Sequence, residues 1–253
     1  MEIKKITSVQ NEYIKLLSKL GAKKNREESG LFLAEGEHLT DMVCNSSYEV
    51  KNLVMTEEYY AKNQNKFLYD IIIVPDGIMQ KISDAKTPQG VVAVVSLPRK
   101  NANIKGGRYI YCDNLQDPGN IGTIIRTADA FSFSGVILSK GCADVFSPKV
   151  IRSTQGSMFN VEVITDKDIE FLKSAKSDFR LTATALYGEC VTVKEMKTEK
   201  NQIFVIGNEG SGVSEEILSM SDEIVYIPMT GKAESLNAAV AASIVMYEVA
   251  SRE

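Results

Sequence analysis

The chain has a single histidine, four cysteines and six prolines in 253 residues. Cys44, Cys112, Cys142 and Cys190 lie far apart with no C-x-x-C pair, which argues against a disulfide framework and against structural zinc. No apolar run approaches the length of a transmembrane helix; Val91-Val92-Ala93-Val94-Val95 suits one buried strand. The start, Met1-Glu2-Ile3-Lys4-Lys5, lacks the long apolar stretch of a secretory signal, so a cytoplasmic protein without membrane attachment is expected. Two nucleotide fingerprints are also missing. The glycines of 207–212 are ordered G-x-x-G-x-G, not G-x-G-x-x-G, and Gly231-Lys232 continues to Ala233, which is no P-loop. Neither an internal repeat nor a low-complexity tract is present.

What is there is the composition of a globular protein, 44% hydrophobic and 25% charged, long enough for one large domain or two ordinary ones. A net charge of −4 argues against a generic nucleic-acid coat. It hides an asymmetry, because residues 1–26 hold Lys4, Lys5, Lys15, Lys19, Lys23, Lys24 and Arg26 against Glu2 and Glu12. That segment is either a solvated helix face or a basic surface for RNA.

Hydrophobic spacing predicts an opening helix through Val9, Tyr13, Leu16, Leu17 and Leu20, stopped at Gly21 and followed by a charged gap. Strands are expected at 31–34, 52–55, 71–74 and 91–95, with helices after Glu35, between the second and third strands, and at 78–82. The polar stretch Pro98 to Gly107 reads as a linker. Beyond it strands are expected at 108–112, 135–138, 160–163, 180–185, 202–206 and 223–227. Helices are expected at 120–132, 166–175, 213–219 and 236–250. This alternation describes two α/β domains, 1–98 and 108–253, joined by 99–107; the second has a mostly parallel sheet.

Three stretches carry the chemistry. In Asn114-Leu115-Gln116-Asp117-Pro118-Gly119-Asn120-Ile121-Gly122-Thr123-Ile124-Ile125-Arg126-Thr127-Ala128, Asp117 and Pro118 open a helix as its cap and first residue. Asn120 and Arg126 there suit an oxyanion or phosphate; a capped helix with a surface Arg is the plain alternative. Ile206-Gly207-Asn208-Glu209-Gly210-Ser211-Gly212 follows a buried strand, and its glycines permit close backbone approach to a ligand. Glu209 is either a base-orienting carboxylate or a solvated turn residue. In Ile227-Pro228-Met229 to Ser235-Leu236-Asn237, two polar residues stand where a helix begins and capping accounts for only one of them.

Together and in this order, the three stretches resemble the motifs of the SpoU (TrmH-type) RNA ribose 2′-O-methyltransferases of the SPOUT superfamily. Ser147 to Ser157 is also similar to family sequence. Phe32-Leu33-Ala34-Glu35-Gly36, the basic helix before it, and Pro88-Gln89-Gly90 resemble the family's RNA-binding domain, which is related to ribosomal proteins. The resemblance implies a SPOUT-type α/β catalytic domain with a deep trefoil knot, a small N-terminal α/β RNA-binding domain, a homodimer, S-adenosylmethionine as methyl donor (leaving as S-adenosylhomocysteine), and no metal. It implies that Gly207, Ile227 and Leu236 hold the cofactor, and that Asn120, Arg126, Glu209, Ser235 and Asn237 are catalytic or orient the substrate. Lys4, Lys5, Lys15, Lys23, Lys24 and Arg26 then become RNA contacts. Ala238-Ala239 replaces the family's more usual Val-Ser, a change expected to alter helix packing rather than chemistry.

The family proposal makes the Arg at position 126 the base, yet guanidinium has a pKa above about 12. Arg126 is better suited to stabilising a developing alkoxide and engaging a phosphate, with Asn120 orienting it or the ribose, Glu209 holding it or a hydroxyl, and Ser235 and Asn237 shaping the pocket. The lone His38 is expected to be structural. Ribosomal RNA is favoured over transfer RNA as substrate because of the added N-terminal domain. A fold-retaining assembly factor and a nucleotide-binding oxidoreductase are the competing classes. The intact site residues count against the first, and the missing fingerprints against the second.

Overall fold

The computed structural model describes residues 1–64, 66–98, 104–186 and 189–252. In the first half the elements are β1 (Ile3–Lys5), α1 (Glu12–Leu17), α2 (Lys23–Ser29), β2 (Leu31–Glu35), α3 (Glu37–Cys44), β3 (Val50–Thr56), α4 (Glu57–Lys62), β4 (Ile71–Val74), α5 (Asp76–Ile82) and β5 (Val91–Ser96). They form a five-stranded sheet in the order β1-β4-β3-β5-β2. β1, β4 and β3 are parallel neighbours, and β5 runs antiparallel to both β3 and β2. The expected strands at 71–74 and 91–95 are buried runs, as their Val and Ile content requires.

Three details differ from the sequence expectation. The opening helix is shorter and buries Ile14 and Leu17, while Val9 stays exposed. The charged gap is a helix, α2, held by the i,i+4 pairs Lys23–Glu27 and Lys24–Glu28 rather than by an apolar stripe. β1 is a three-residue exposed edge strand with no burial pattern to betray it.

The second half continues with β6 (Arg108–Cys112), α6 (Pro118–Ala130), β7 (Gly135–Ser139), α7 (Pro148–Thr154), β8 (Glu162–Lys167), α8 (Ile169–Ala175), β9 (Arg180–Thr184), β10 (Val191–Thr192), β11 (Gln202–Ile206), α9 (Glu215–Met220), β12 (Glu223–Tyr226) and α10 (Ala238–Ala250). The sheet order is β10-β12-β9-β11-β6-β7-β8, and every neighbouring pair is parallel. Tyr109, Tyr111, Ile137, Leu181, Ile203 and Val205 form the core on one side of this sheet. β8 starts two residues later than expected, and the two-residue β10 was not anticipated.

The chain divides into two compact units, Met1–Arg99 with Phe146–Phe159, and Lys100–Val145 with Asn160–Glu253. Residues 99–103 of the expected linker lie outside the described residues. The contiguous second domain over 108–253 needs one correction, because Phe146–Phe159, which carries α7, packs with the first unit. The Phe146 ring packs tilted against Phe32 with centroids 5.1 Å apart, and Phe159 meets Tyr48 edge-on at 5.3 Å. Arg152 pairs with Asp84 at 2.6 Å. His38 Nε2 lies 3.0 Å from the Gln155 carbonyl, which only accepts, so that nitrogen carries the proton. The structural role expected for His38 has this contact as its basis.

Candidate active site

Parallel register aligns the strand ends of the second unit. Ile206 of β11 pairs with Cys112 of β6, Val205 with Ala183 of β9, and Val225 of β12 with Thr184. The loops after β6, β11 and β12 therefore leave one carboxyl edge, where open α/β sheets bind ligands. These loops are the three chemical stretches of the sequence.

After β6 the backbone turns at Asn114, whose φ of 59° is tolerated by Asn better than by most side chains. Asp117 then caps α6, its Oδ1 accepting from the amides of Gly119 (2.6 Å) and Asn120 (3.0 Å), with Pro118 in the first turn. Ile121, Ile124, Ile125 and Ala128 bury the inner face and place Asn120 at the helix start, 9% exposed.

After β11 the loop closes on itself. Asn208 and Gly212 exchange backbone hydrogen bonds at 3.0 and 2.9 Å. The Asn208 side chain accepts from Gly210 and Ser211 and donates to the Asn114 carbonyl at 2.7 Å, joining the second loop to the first. Gly207 is obligatory, because a Cβ there would lie 2.1 Å from the Gly212 carbonyl carbon. Asp113 completes the junction by accepting from the Ser214 amide at 3.0 Å. The sequence reading does not single out Asn114 or Asn208, although Asn208 two residues ahead of Gly210 in a strand-end loop has the signature of a side chain closing an Asx turn.

After β12 the chain reaches α10 through Ser235 and Leu236. Asn237 is the cap of α10, accepting from Ala239 (2.9 Å) and Val240 (3.3 Å), and Ala238 and Ala239 are buried. Its amide group points the other way and donates to Asn120 Oδ1 at 2.9 Å. Asn120 Nδ2 in turn donates to Glu209 Oε1 at 2.6 Å. One relay thus links all three loops, and because each amide's roles are fixed by its neighbour, both orientations are set. It leaves the second oxygen of Glu209 as an acceptor toward solvent. Beside the relay lies a cavity of about 430 Å³ whose lining includes Gly207, Glu209, Ile227, Ser235 and Leu236. That size and its mixture of apolar walls with loop backbone suit a cofactor.

The sequence pattern of the SpoU rRNA Methylase family matches residues 107–247, and that of an MRM3-like substrate binding domain matches residues 11–93. The chain belongs to the SpoU rRNA methylase family. Among its relatives is the 23S rRNA (guanosine(2553)-2′-O)-methyltransferase RlmP of Bacillus subtilis, 33% identical over 98% of this chain and 99% of the relative. The 23S rRNA (uridine(2479)-2′-O)-methyltransferase of Streptomyces viridochromogenes is 30% identical over 97% and 91%. In structure it is similar to the AdoMet-bound rRNA methyltransferase from Sinorhizobium meliloti, with a TM-score of 0.86, 31% identity and coverage of 99% and 98%. Its likeness to the SpoU methyltransferase AviRb of Streptomyces viridochromogenes in complex with AdoMet has a TM-score of 0.86 at 27% identity, covering 96% and 98%.

Within this SpoU-family chain, the expected cofactor residues Gly207, Ile227 and Leu236 share one cavity with Glu209 and Ser235, and Asn120 and Asn237 join through the relay. Arg126 joins neither. It stands on the exposed face of α6, about 9 Å further along the axis than Asn120, and has no side-chain partner among the described residues. Asn120 and Glu209 bind each other rather than Arg126, which leaves the other expected roles, Asn120 toward the ribose and Glu209 toward a hydroxyl.

The basic N-terminal set also divides. Lys4, Lys5, Lys23 and Lys24 are exposed and Lys15 half-exposed, each against a carboxylate such as Glu57 for Lys5 at 2.7 Å. Such surface pairs are weak enough for a polyanion to displace. Arg26 is a correction. It is 2% exposed and donates to the Leu20 carbonyl at 2.5 Å, so it closes the turn between α1 and α2 instead of meeting solvent. Among the described residues no group of three or more His, Cys, Asp or Glu gathers as metal ligands would. No helix among them is long and apolar enough to cross a membrane.

Proposed function

We propose that this chain is an S-adenosylmethionine-dependent methyltransferase acting on a ribose 2′-hydroxyl of structured RNA, with 23S-type ribosomal RNA as substrate. The observation that carries this reading is the relay Asn237–Asn120–Glu209, which ties the three family motifs together at the lip of the cavity. The cavity fits the donor: Gly207, Ile227 and Leu236 line it, and a side chain at Gly207 would displace the loop wall. S-adenosylmethionine supplies a methyl group on a sulfonium, already a good electrophile, so the protein's task is alignment and proton removal.

Glu209, fixed through one oxygen by Asn120, offers the other to a ribose hydroxyl. Ser235 shapes the cavity wall, and Asn237 holds both α10 and Asn120. Arg126, without a side-chain partner among the described residues, stabilises the developing alkoxide and engages the neighbouring phosphate, and the proton leaves through that phosphate or a water.

The same reading makes the protein a cytoplasmic homodimer with a knotted second domain. The sheet order supports the knot, since β11 and β12 return to positions on either side of β9. The sequence of α10, Ala238 to Ala250, supports the dimer: it is apolar nearly all round, yet Val240 and Tyr247 are 47% and 59% exposed, one heptad apart. In this reading the first unit holds the RNA and the second unit carries the chemistry.

The test is transfer of tritium from S-adenosyl-[methyl-³H]methionine to ribosomal and transfer RNA taken from cells with and without the gene. Label entering 23S rRNA from deficient cells alone is the expected result. Label in transfer RNA only, or none in either, overturns the reading.

A further inference from the structure

The first sheet has a carboxyl rim of its own. β1, β3 and β4 are parallel, and β2, antiparallel to β5 as β3 is, points the same way. Lys5, Glu35, Thr56 and Val74 therefore end at one edge, and Pro88-Gln89-Gly90 enters β5 from it. A cavity of about 340 Å³ opens there, lined by Thr56, Tyr59, Lys62, Asp76, Gln80 and Gln89 among others.

Close packing shapes its floor. Gly90 has a φ of 81°, and a Cβ there would come within 2.7 Å of Thr56 Oγ1 and 3.2 Å of Tyr59 Cβ. Gly36 has a φ of 95°, and a Cβ there would meet Gln89 Oε1 at 2.7 Å. Thr56 Oγ1 caps α4 by accepting from the Tyr59 amide at 3.2 Å. Gln89 Oε1 accepts from the Glu37 amide at 2.9 Å, which leaves the Gln89 side-chain NH₂ for a ligand. Asp76 and Gln80 stand one turn apart on α5 and both line the cavity. Lys62, paired with Glu58 at 2.6 Å, lies at the mouth, and Lys5 is held on the same rim by Glu57.

These groups select a chemistry. An apolar ligand would leave the amides and carboxylates without partners. A bare phosphate would face Asp76 and Glu58. A nucleobase needs an aromatic face to stack on and an edge of mixed donors and acceptors, and the cavity supplies Tyr59 for the first and Asp76, Gln80 and Gln89 for the second. At about 340 Å³ it has room for a nucleoside. We propose that the cavity at the carboxyl rim of the first sheet takes one unpaired nucleoside of the RNA substrate, stacked on Tyr59 and read at its edge by Asp76, Gln80 and Gln89. This rests on RNA being the substrate, and it makes the first unit a reader of a splayed base in addition to backbone charge.

The experiment titrates the ¹⁵N-labelled full chain, saturated with S-adenosylhomocysteine, with each of the four nucleoside 5′-monophosphates. The side-chain amide signals of Gln80 and Gln89 are the reporters. At least one nucleotide shifts both signals saturably, Tyr59→Leu abolishes the shifts, and Asp76→Asn changes which nucleotide is preferred. Affinity of Tyr59→Leu for a 23S rRNA transcript falls about tenfold while S-adenosylhomocysteine binding is unchanged. Should Tyr59→Leu not fold, the exposed Asp76→Asn carries the comparison. Reporter signals that no nucleotide moves, or a folded Tyr59→Leu that binds the transcript like the parent, overturn the proposal. Tritium transfer is read separately: shifts without any methyl transfer overturn the methylation reading and leave the pocket, and transfer without shifts does the reverse.

Discussion

Asn237 Nδ2 donates to Asn120 Oδ1 at 2.9 Å across 117 residues of sequence. Asn237 is also the cap of α10, so the start of the last helix and the start of α6 are held by one side chain. Asn120→Ala breaks the relay and releases Glu209. Loss of a hydrogen bond to a charged group costs about 1.5–3 kcal/mol, so kcat falls roughly ten- to a hundredfold. Asn120 does not line the cavity, so S-adenosylhomocysteine affinity by calorimetry stays within about threefold of the parent. The double variant with Asn237→Ala is no slower than Asn120→Ala, because both remove one unit. Additive rate losses would show the two act independently.

Asn237→Ala carries a second penalty that Asn120→Ala does not. Removing the cap costs about 1 kcal/mol of stability, visible as a drop in Tm of a few degrees. Asn237→Asp keeps the cap acceptor but cannot donate to Asn120, so stability returns and turnover does not. An inactive but stable Asp variant separates the two jobs of this residue.

Arg126→Ala abolishes methyl transfer with cofactor binding intact, and near-parent turnover rules out the assigned role. Arg126→Lys distinguishes charge from geometry. Substantial activity in the Lys variant favours simple charge stabilisation; a dead enzyme requires the planar guanidinium fork.

Gly207→Ala places a methyl 2.1 Å from the Gly212 carbonyl carbon. The loop must move, and S-adenosylhomocysteine binding weakens at least about tenfold while circular dichroism shows a folded protein. Unchanged affinity excludes Gly207 from the cofactor wall.

The basic N-terminus separates by burial. Replacing Lys4, Lys5, Lys15, Lys23 and Lys24 by Ala lowers RNA affinity and flattens its salt dependence with little loss of stability. Arg26→Ala does the opposite: it strands the Leu20 carbonyl and destabilises the chain by about 2 kcal/mol in urea unfolding, with RNA binding per folded molecule unchanged. Equal effects on RNA binding would return Arg26 to the surface set.

Much of the fold was legible because the sheets are built of buried runs. After Arg108 and Gln202, residues 109–112 and 203–206 are buried runs, and the structure keeps the limits 108–112 and 202–206. β1 and β10 were not legible, since two- and three-residue edge strands have no period to detect. α2 was read as a gap because its i,i+4 ion pairs mimic the composition of a loop. At the site, the structure brings Asn120, Glu209 and Asn237 of the three motifs together, with Gly207 on the same cavity as Glu209. The sequence does not say who binds whom, and leaves Glu209 with Arg126 or a hydroxyl as its partner. The geometry gives it to Asn120, because helical periodicity puts residues 120 and 126 on different faces. Nor does any local pattern show that Phe146–Phe159 packs with the first unit; its aromatic contacts lie more than a hundred residues away.

The most direct test of the account is the position of the methyl group. Alkali cleaves RNA by attack of the 2′-oxygen on the neighbouring phosphorus, and a 2′-O-methyl group blocks that attack. 23S rRNA treated with the enzyme and S-adenosylmethionine, then hydrolysed in mild alkali, acquires one resistant phosphodiester bond that untreated RNA and RNA treated with Arg126→Ala lack. Tritium in the RNA with every bond still alkali-labile places the methyl on a base and contradicts the account.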